Sequence, residues 1–218
     1  MSDINLRILE LLISKVAHDL ISPIGAVNNG VEFMQEMGAD DAGDAVDLIA
    51  FSAGQASSKL RAYRMAYGAG GADNSIKPED VYNVIDDMIS ADGKISQDWD
   101  KDAPFGLNPE TFERPEGFAK VLISALLQAM DCLPKGGVLS VDSVDNDVMN
   151  LSVTARGENA GIRDRSGEAL ALSISQDDLE PKYIHPYITG LVAKHYGFAV
   201  AMREEAGEKV EITINFAS

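Results

Sequence analysis

Cysteine, basic residues and long apolar runs are all scarce in this chain, and each shortage closes off a class of answer. Cys132 is the single cysteine among 218 residues, which excludes an intrachain disulfide framework and a cysteine-cluster zinc site. Lys and Arg number 18 against 35 Asp and Glu, a formal net charge of −17. A duplex binder or a protein docking on anionic lipid needs a basic face, so neither nucleic acid nor a membrane surface is expected as a partner. No apolar run approaches the ~18 residues of a membrane span. The start Met1-Ser2-Asp3-Ile4-Asn5 lacks the basic opening of a signal peptide, and the expected location is the cytoplasm. There is no internal repeat and no low-complexity tract. The acidic runs Asp40-Asp41 and 98–102 lack the alternating ligands and central glycine of a calcium loop, and read as solvated loops. No serine elbow supports a Ser-His-Asp arrangement.

What remains is an ordinary globular composition, 45% hydrophobic and 24% charged, with enough chain to bury a core as one large domain or two small ones. Residues 5–37 read as one helix, with Leu9, Leu12, Val16, Leu20, Ile24, Val27, Val31 and Met34 at spacings of 3 and 4. The glycines and aspartates of 38–44 break it. A second helix carries Val46, Ile49, Ala53, Ala56, Leu60, Tyr63 and Tyr67, an unbroken heptad run that ends at Gly68, Gly70 and Gly71. Residues 1–70 therefore predict an antiparallel helical hairpin. A lone hairpin cannot cover its own stripes, and a second copy would, giving a homodimeric four-helix bundle.

Residues 71–218 hold 13 of the basic and 26 of the acidic residues, against 5 and 9 before them. They read as an α/β sandwich. Pro78, Glu79 and Asp80 open a helix. A weak strand is expected near 94–99, an apolar helix over 115–133, and a hairpin of strands 138–144 and 148–154. A short helix within 166–175, a longer one over 185–196 and a closing hairpin around Ala206-Gly207 complete an α+β chain.

One segment of the first helix carries chemistry. From His18, positions three and four apart are Ser14, Ser22, Gly25, Asn29 and Glu32, all small or polar. His18 therefore points away from the apolar stripe, on a strip that another protein could approach. An imidazole there is partly unprotonated at neutral pH and can act as a nucleophile. Pro23 cannot bond the carbonyl of Asp19 and should kink the helix beside His18. An interior proline costs about 3 kcal/mol in a helix, so its presence asks for a reason.

His18-Asp19-Leu20-Ile21-Ser22-Pro23 resembles the H-box of two-component sensor histidine kinases. The run through Gly25-Ala26-Val27-Asn28-Asn29-Gly30 resembles more specifically the ChpT-type bacterial histidine phosphotransferases, as does the stretch from Lys59 to Gly68. The resemblance covers essentially the whole chain. It implies a dimeric hairpin followed by a degenerate histidine-kinase ATPase-like domain. Against a working kinase, Ser124 and Gln128 stand where asparagines belong, Gln128 at the metal-holding position, and Ala155-Arg156-Gly157 replaces the adenine-reading Asp-x-Gly. Tyr183, His185 and Pro186 occupy the phosphate-binding glycine loop, with Gly190 as its only remnant. Glycines there let backbone N–H groups reach phosphate, and bulky residues do not. ATP is not expected to bind.

The implied function is a phosphorelay. A phosphorylated receiver domain of a hybrid kinase, bringing its own Mg²⁺, would phosphorylate His18, and a downstream response regulator would take the group. Asp19 and Ser22 would assist His18, although Asp19, as its immediate neighbour, does not share its face. Lys15, Ile21, Gly25, Asn28, Asn29, Arg61 and Arg64 are candidate receiver-docking residues; a plain solvated helix face would use the same polar ones. Two alternatives stay open: an active histidine kinase with an atypical ATP site, and a non-catalytic dimeric signalling adaptor. His185 reads as a helix-start residue, His195 as a cap or partly buried residue, and Cys132 as a small core residue.

Overall fold

The closest approach of the first two helices is made possible by a missing side chain. In the computed structural model, which describes residues 6–37, 43–90, 93–205 and 207–216, α1 (Leu6–Met37) and α2 (Gly43–Tyr67) form a hairpin. A Cβ on Gly30 would lie 2.6 Å from Ile49 and 3.3 Å from the Ala45 carbonyl. Farther along, Asp19 meets Lys59 and Tyr63, so the helices run antiparallel. The turn expected over 38–44 falls mostly outside the described residues, as does Asp40-Asp41.

The apolar stripes are less covered than their spacing suggests. Leu12, Val16, Leu20, Val27 and Met34 are half-buried, but Leu9, Ile24 and Val31 are exposed. On α2 the buried residues are Ala45, Ser52, Ser58, Ala62, Tyr63 and Ala66, whereas Val46, Ala53 and Leu60 of the heptad run face outward. Each helix thus has two faces. One packs inside the chain, and part of the apolar run, including Val46 and Leu60 on α2, is left facing outward.

The base of the hairpin is fused to an α/β core. Ala62, Tyr63 and Ala66 share one buried cluster with α3 (Pro78–Ile89), α4 (Phe118–Asp131) and the sheet. Lys120 of α4 is buried and donates to the Gly68 carbonyl at 2.6 Å, closing the end of α2. As its composition predicts, α3 opens on Pro78, with the Asp80 carboxylate accepting from the Lys77 N–H at 2.8 Å. It buries Val81, Ile85 and Ile89, one turn apart.

Five strands, β1 (Ile95–Gln97), β2 (Gly137–Val144), β3 (Asp147–Arg156), β4 (Ala199–Glu205) and β5 (Lys209–Asn215), order as β1-β2-β3-β5-β4. β1 pairs parallel to β2, and the other pairs are antiparallel. The β2–β3 turn puts Asp145 and Asn146 both at positive φ, the conformation a two-residue hairpin demands and these residue types tolerate. Val210, Ile212 and Ile214 alternate inward on β5. The sheet and α4 thus form a layered α/β unit.

The short α5 (Ser166–Leu170) and α6 (Ile184–His195) build a second core cluster from Ala169, Leu179, Tyr183, Ile184, Tyr187 and Ile188. Against it pack Ile8, Leu11 and Leu12 of α1. Arg7 adds a hydrogen bond to the Leu179 carbonyl at 3.0 Å. This contact holds the amino-terminal half of α1 to the α/β half, and so fixes what lies beside His18.

Candidate functional site

α1 runs unbroken through Pro23, and five residues before that proline it presents His18 with its side chain 89% exposed. Ser14, Ser22, Asn29 and Glu32 are exposed on the same strip, as expected, and Gly25 is half-buried. A Cβ on Gly25 would meet nothing within 4 Å. That glycine is therefore not needed for packing within the chain, and its absence of a side chain leaves room outside. Ile21, at 69% exposure, is the largest apolar side chain close to His18.

Asp19 is drawn into the site after all. Its Oδ1 lies 3.4 Å from His18 Nδ1. Neighbouring helical residues diverge by about 100°, and side-chain reach bridges the gap because Asp19 is itself held. Lys15 donates to Oδ2 at 3.0 Å, and the buried Tyr63 hydroxyl donates to the same oxygen. Burial pushes the Asp19 pKa up, but the Tyr63 hydrogen bond and the Lys15 charge outweigh it and leave it below the ordinary carboxylate value. Burial and the adjacent Asp19 carboxylate push the Tyr63 phenol well above its usual range. Asp19 thus stays an ionised acceptor and Tyr63 a protonated donor. An imidazole donating from Nδ1 to this carboxylate keeps the Nε2 lone pair free.

The carbonyl orphaned by Pro23 has a partner too. Lys59 Nζ, on α2, donates to the Asp19 carbonyl at 3.1 Å. Sequence reading took Tyr63 for a stripe residue and Lys59 only for part of a family pattern. The available signal was Pro23 itself: four residues before an interior proline sits a carbonyl that needs a donor from elsewhere.

His18, Ser14 and Lys15 form one wall of a groove of about 530 Å³. The opposite wall comes from the α/β half, with Asp131, Arg163, Pro181 and Lys182. Nothing in the sequence flagged Arg163 or Lys182, since only the docking of α1 on the second core cluster brings them near. Asn28 is exposed on α1. Arg61 and Arg64 are not brought to this groove. They line a separate hollow with Met65, Ile76 and Val84, and Arg61 pairs with Asp87 at 2.9 Å. A larger hollow, about 900 Å³, is lined by residues including Arg114, His195 and Tyr196, and shares none with the His18 groove. It contains no nucleophile–base pairing like that of His18 with Asp19, so volume alone does not mark the site.

A family model described as the histidine phosphotransferase C-terminal domain matches residues 78–208. The protein phosphotransferase ChpT of Brucella abortus (strain 2308) is 30% identical over 202 residues, spanning 92% of this chain and 91% of the relative. The chain belongs to the histidine phosphotransferase family. A solved structure described as a bacterial phosphotransferase at 1.7 Å is similar throughout, with a TM-score of 0.75 and 28% identity over 99% of this chain and 98% of that one.

In this histidine phosphotransferase the positions compared above with a kinase nucleotide site are filled by packing. Tyr183, Ile184, His185, Tyr187 and Ile188 are buried in the second core cluster. A Cβ on Gly190 would lie 2.1 Å from the Leu170 carbonyl, so that glycine is accounted for by the approach of α6 to α5. Ser124 is buried and bonds the Lys120 carbonyl of its own helix at 2.7 Å. The buried Gln128 has no partner for its Oε1. His185 lies inside, with its Nε2 3.1 Å from the Ser124 carbonyl and its Nδ1 bonded to the Tyr67 hydroxyl. Cys132 is buried, with its thiol pushed up to about 11, mainly by burial, which suits a core residue. Among the described residues no group of three or more His, Cys, Asp or Glu side chains could hold a metal ion, and no helix is long and apolar enough to cross a membrane.

Proposed function

We propose that this histidine phosphotransferase relays a phosphoryl group between receiver domains through Nε2 of His18, as a homodimer and without binding ATP. The observation that carries the reading is the His18 ring itself, 89% exposed on a strip of small residues with Nδ1 turned to a carboxylate. In the forward step the Nε2 lone pair attacks the phosphorus of an aspartyl phosphate on the first receiver. The P–N bond forms as the bond to the aspartate oxygen breaks, and the carboxylate leaves. The imidazole, still protonated at Nδ1, gains positive charge that the Asp19 carboxylate stabilises. The second receiver's aspartate reverses the step and regenerates His18. This chain supplies position and a nucleophile, and Mg²⁺ brought by the receiver would supply charge neutralisation at the phosphoryl group.

Ile21 gives the receiver an apolar anchor, of the kind that dominates small interfaces. Ser22, one turn from His18, contacts the receiver or the phosphoryl oxygens, and Lys15 lies beside them. Gly25, Asn28 and Asn29 let the receiver approach α1 closely. Arg61 and Arg64, in their separate hollow, have the weakest claim to docking. The buried Tyr183, His185 and Tyr187, which fill the place of a phosphate loop, support a relay that does not begin with nucleotide.

The test is label transfer from a receiver phosphorylated with labelled phosphate, alongside incubation with labelled ATP and Mg²⁺. Wild type should take label from the receiver and none from ATP, and His18→Ala should take none from either. Label acquired from ATP alone would establish an autokinase instead. Label persisting on His18→Ala would remove His18 from the role.

A further inference from the structure

The least expected feature of α1 is that a single residue, Asp19, is tied to α2 by both its backbone and its side chain. Pro23 deprives the Asp19 carbonyl of its helical donor, and Lys59 replaces it from across the hairpin. The Tyr63 hydroxyl holds carboxylate oxygen Oδ2, one turn farther along α2. Tyr63 is in turn fixed: it is 8% exposed, and its ring stacks on Tyr67 with centroids 5.6 Å apart and planes 16° from parallel. The oxygen left over, Oδ1, is the one that meets His18 Nδ1.

An aspartate on an exposed helix face would ordinarily sample several rotamers and point one oxygen at water. Here the buried phenol selects one of them. Ser14 and Ser22, on the same strip as the ring it serves, face solvent. We infer that Tyr63 is a positioning residue for phosphotransfer: through Asp19 it holds His18 in the Nδ1–H tautomer, with the Nε2 lone pair directed outward. The inference rests on the reading of His18 as the phosphoacceptor. It adds a residue from the other helix, buried and out of reach of any receiver, to the machinery of the step.

Tyr63→Phe keeps the stacked ring and removes only the hydroxyl, and Lys15 still holds Oδ2, so the fold should survive. Tyr67→Phe is the control, because it removes the neighbouring buried hydroxyl in the same stack but leaves Asp19 untouched. Nitrogen-15 NMR of the His18 ring reads the tautomer without any receiver, and labelled transfer reads the chemistry. Tyr63→Phe should move the ring signals toward the Nε2–H form and lower the maximal transfer rate by about tenfold, as losing a hydrogen bond to a charged group does. The receiver concentration for half-maximal rate should not move. Tyr67→Phe should match wild type in both readouts. Wild-type behaviour of Tyr63→Phe would overturn the inference, and so would an equal loss in both variants, which would mark a packing effect. A wild type that takes no label would instead retire the role of His18, while the ring signals would still decide whether Tyr63 orders it.

Discussion

The hairpin and the α/β half bury their apolar residues in different ways. Thirteen large apolar side chains are exposed among the described residues, and eleven of them, from Leu6 to Leu60, lie on α1 and α2. The α/β half, with more residues and most of the acid, leaves only Phe112 and Val138. Its core gathers around α4. The hairpin is finished only where Ala62, Tyr63 and Ala66 join that core, and where Ile8, Leu11 and Leu12 meet the second cluster. Of the three histidines, His18 and His195 are exposed and His185 is enclosed. An exposed apolar surface and the core that supports it are thus built side by side.

The sharpest way to break this comparison is to charge the leftover stripe. Ile24 and Val31 are one heptad apart on α1 and are 51% and 41% exposed. If a second copy covers them, the double variant Ile24→Asp, Val31→Asp buries two unpaired carboxylates at the interface, a cost of several kcal/mol. Light scattering should then show a dimer for wild type and a monomer for the variant, with the far-ultraviolet spectrum of the α/β half retained. A monomeric wild type would show that the stripe serves something other than a second copy.

Two glycines on α1 sharpen the same contrast at smaller scale. Gly30 is walled in by Ile49 and Ala45, whereas Gly25 has open space where a side chain would go. Gly25→Leu should leave the melting temperature unchanged or slightly raised, since a helical glycine is about 1 kcal/mol poorer than better helix formers. It should slow transfer from a receiver by on the order of a hundredfold, the effect of misplacing reactants by about an ångström. Gly30→Leu should cost about 1–3 kcal/mol in urea unfolding through overpacking. An unslowed Gly25→Leu would mean that the receiver does not approach along this strip.

Much of this division was legible in the residues, and the gaps have physical causes. The spacing of 3 and 4 placed α1 within a residue of its observed bounds, and Pro78, Pro134 and the turn residues Asp145-Asn146 bounded elements correctly because local sterics decide them. The small polar strip around His18 came from helical geometry alone and is where the strip is found. Periodicity could not say which apolar positions are covered, since Val46 and Leu60 fit a heptad as well as Tyr63 does. Nor could it place Arg163 and Lys182 across the groove, because only the packing of α1 on α6 and the turn at Pro181–Tyr183 brings them there. The hold of Tyr63 on Asp19 is a contact forty-four residues apart in the chain, invisible to any local rule.

His185 offers the smallest effect and a separate check on the supporting half. It is 2% exposed, with Nε2 at the Ser124 carbonyl and Nδ1 at the Tyr67 hydroxyl; in the neutral ring that burial favours, Nε2 donates to the carbonyl and Nδ1 accepts from the phenol. Burial pulls its pKa below the ordinary 6.5; the Asp131 carboxylate opposes this, Lys15 reinforces it, and the Ser124 bond and Asp19 also oppose it. A depressed histidine is protonated first in the unfolded chain, so its contribution to stability is present above the unfolded value and fades as pH falls below it. The loss can be at most about 1.4 kcal/mol per pH unit, one proton's worth. Gln at this position can still donate to Ser124 and accept from Tyr67 but does not titrate. Urea unfolding of His185→Gln from about pH 7.5 to 5.5 should therefore show a shallower loss of stability than wild type, by up to that slope. Equal slopes for wild type and His185→Gln would mean that the enclosed ring accepts its proton within the folded protein, and that the joint between α2 and α6 is looser than its hydrogen bonds imply.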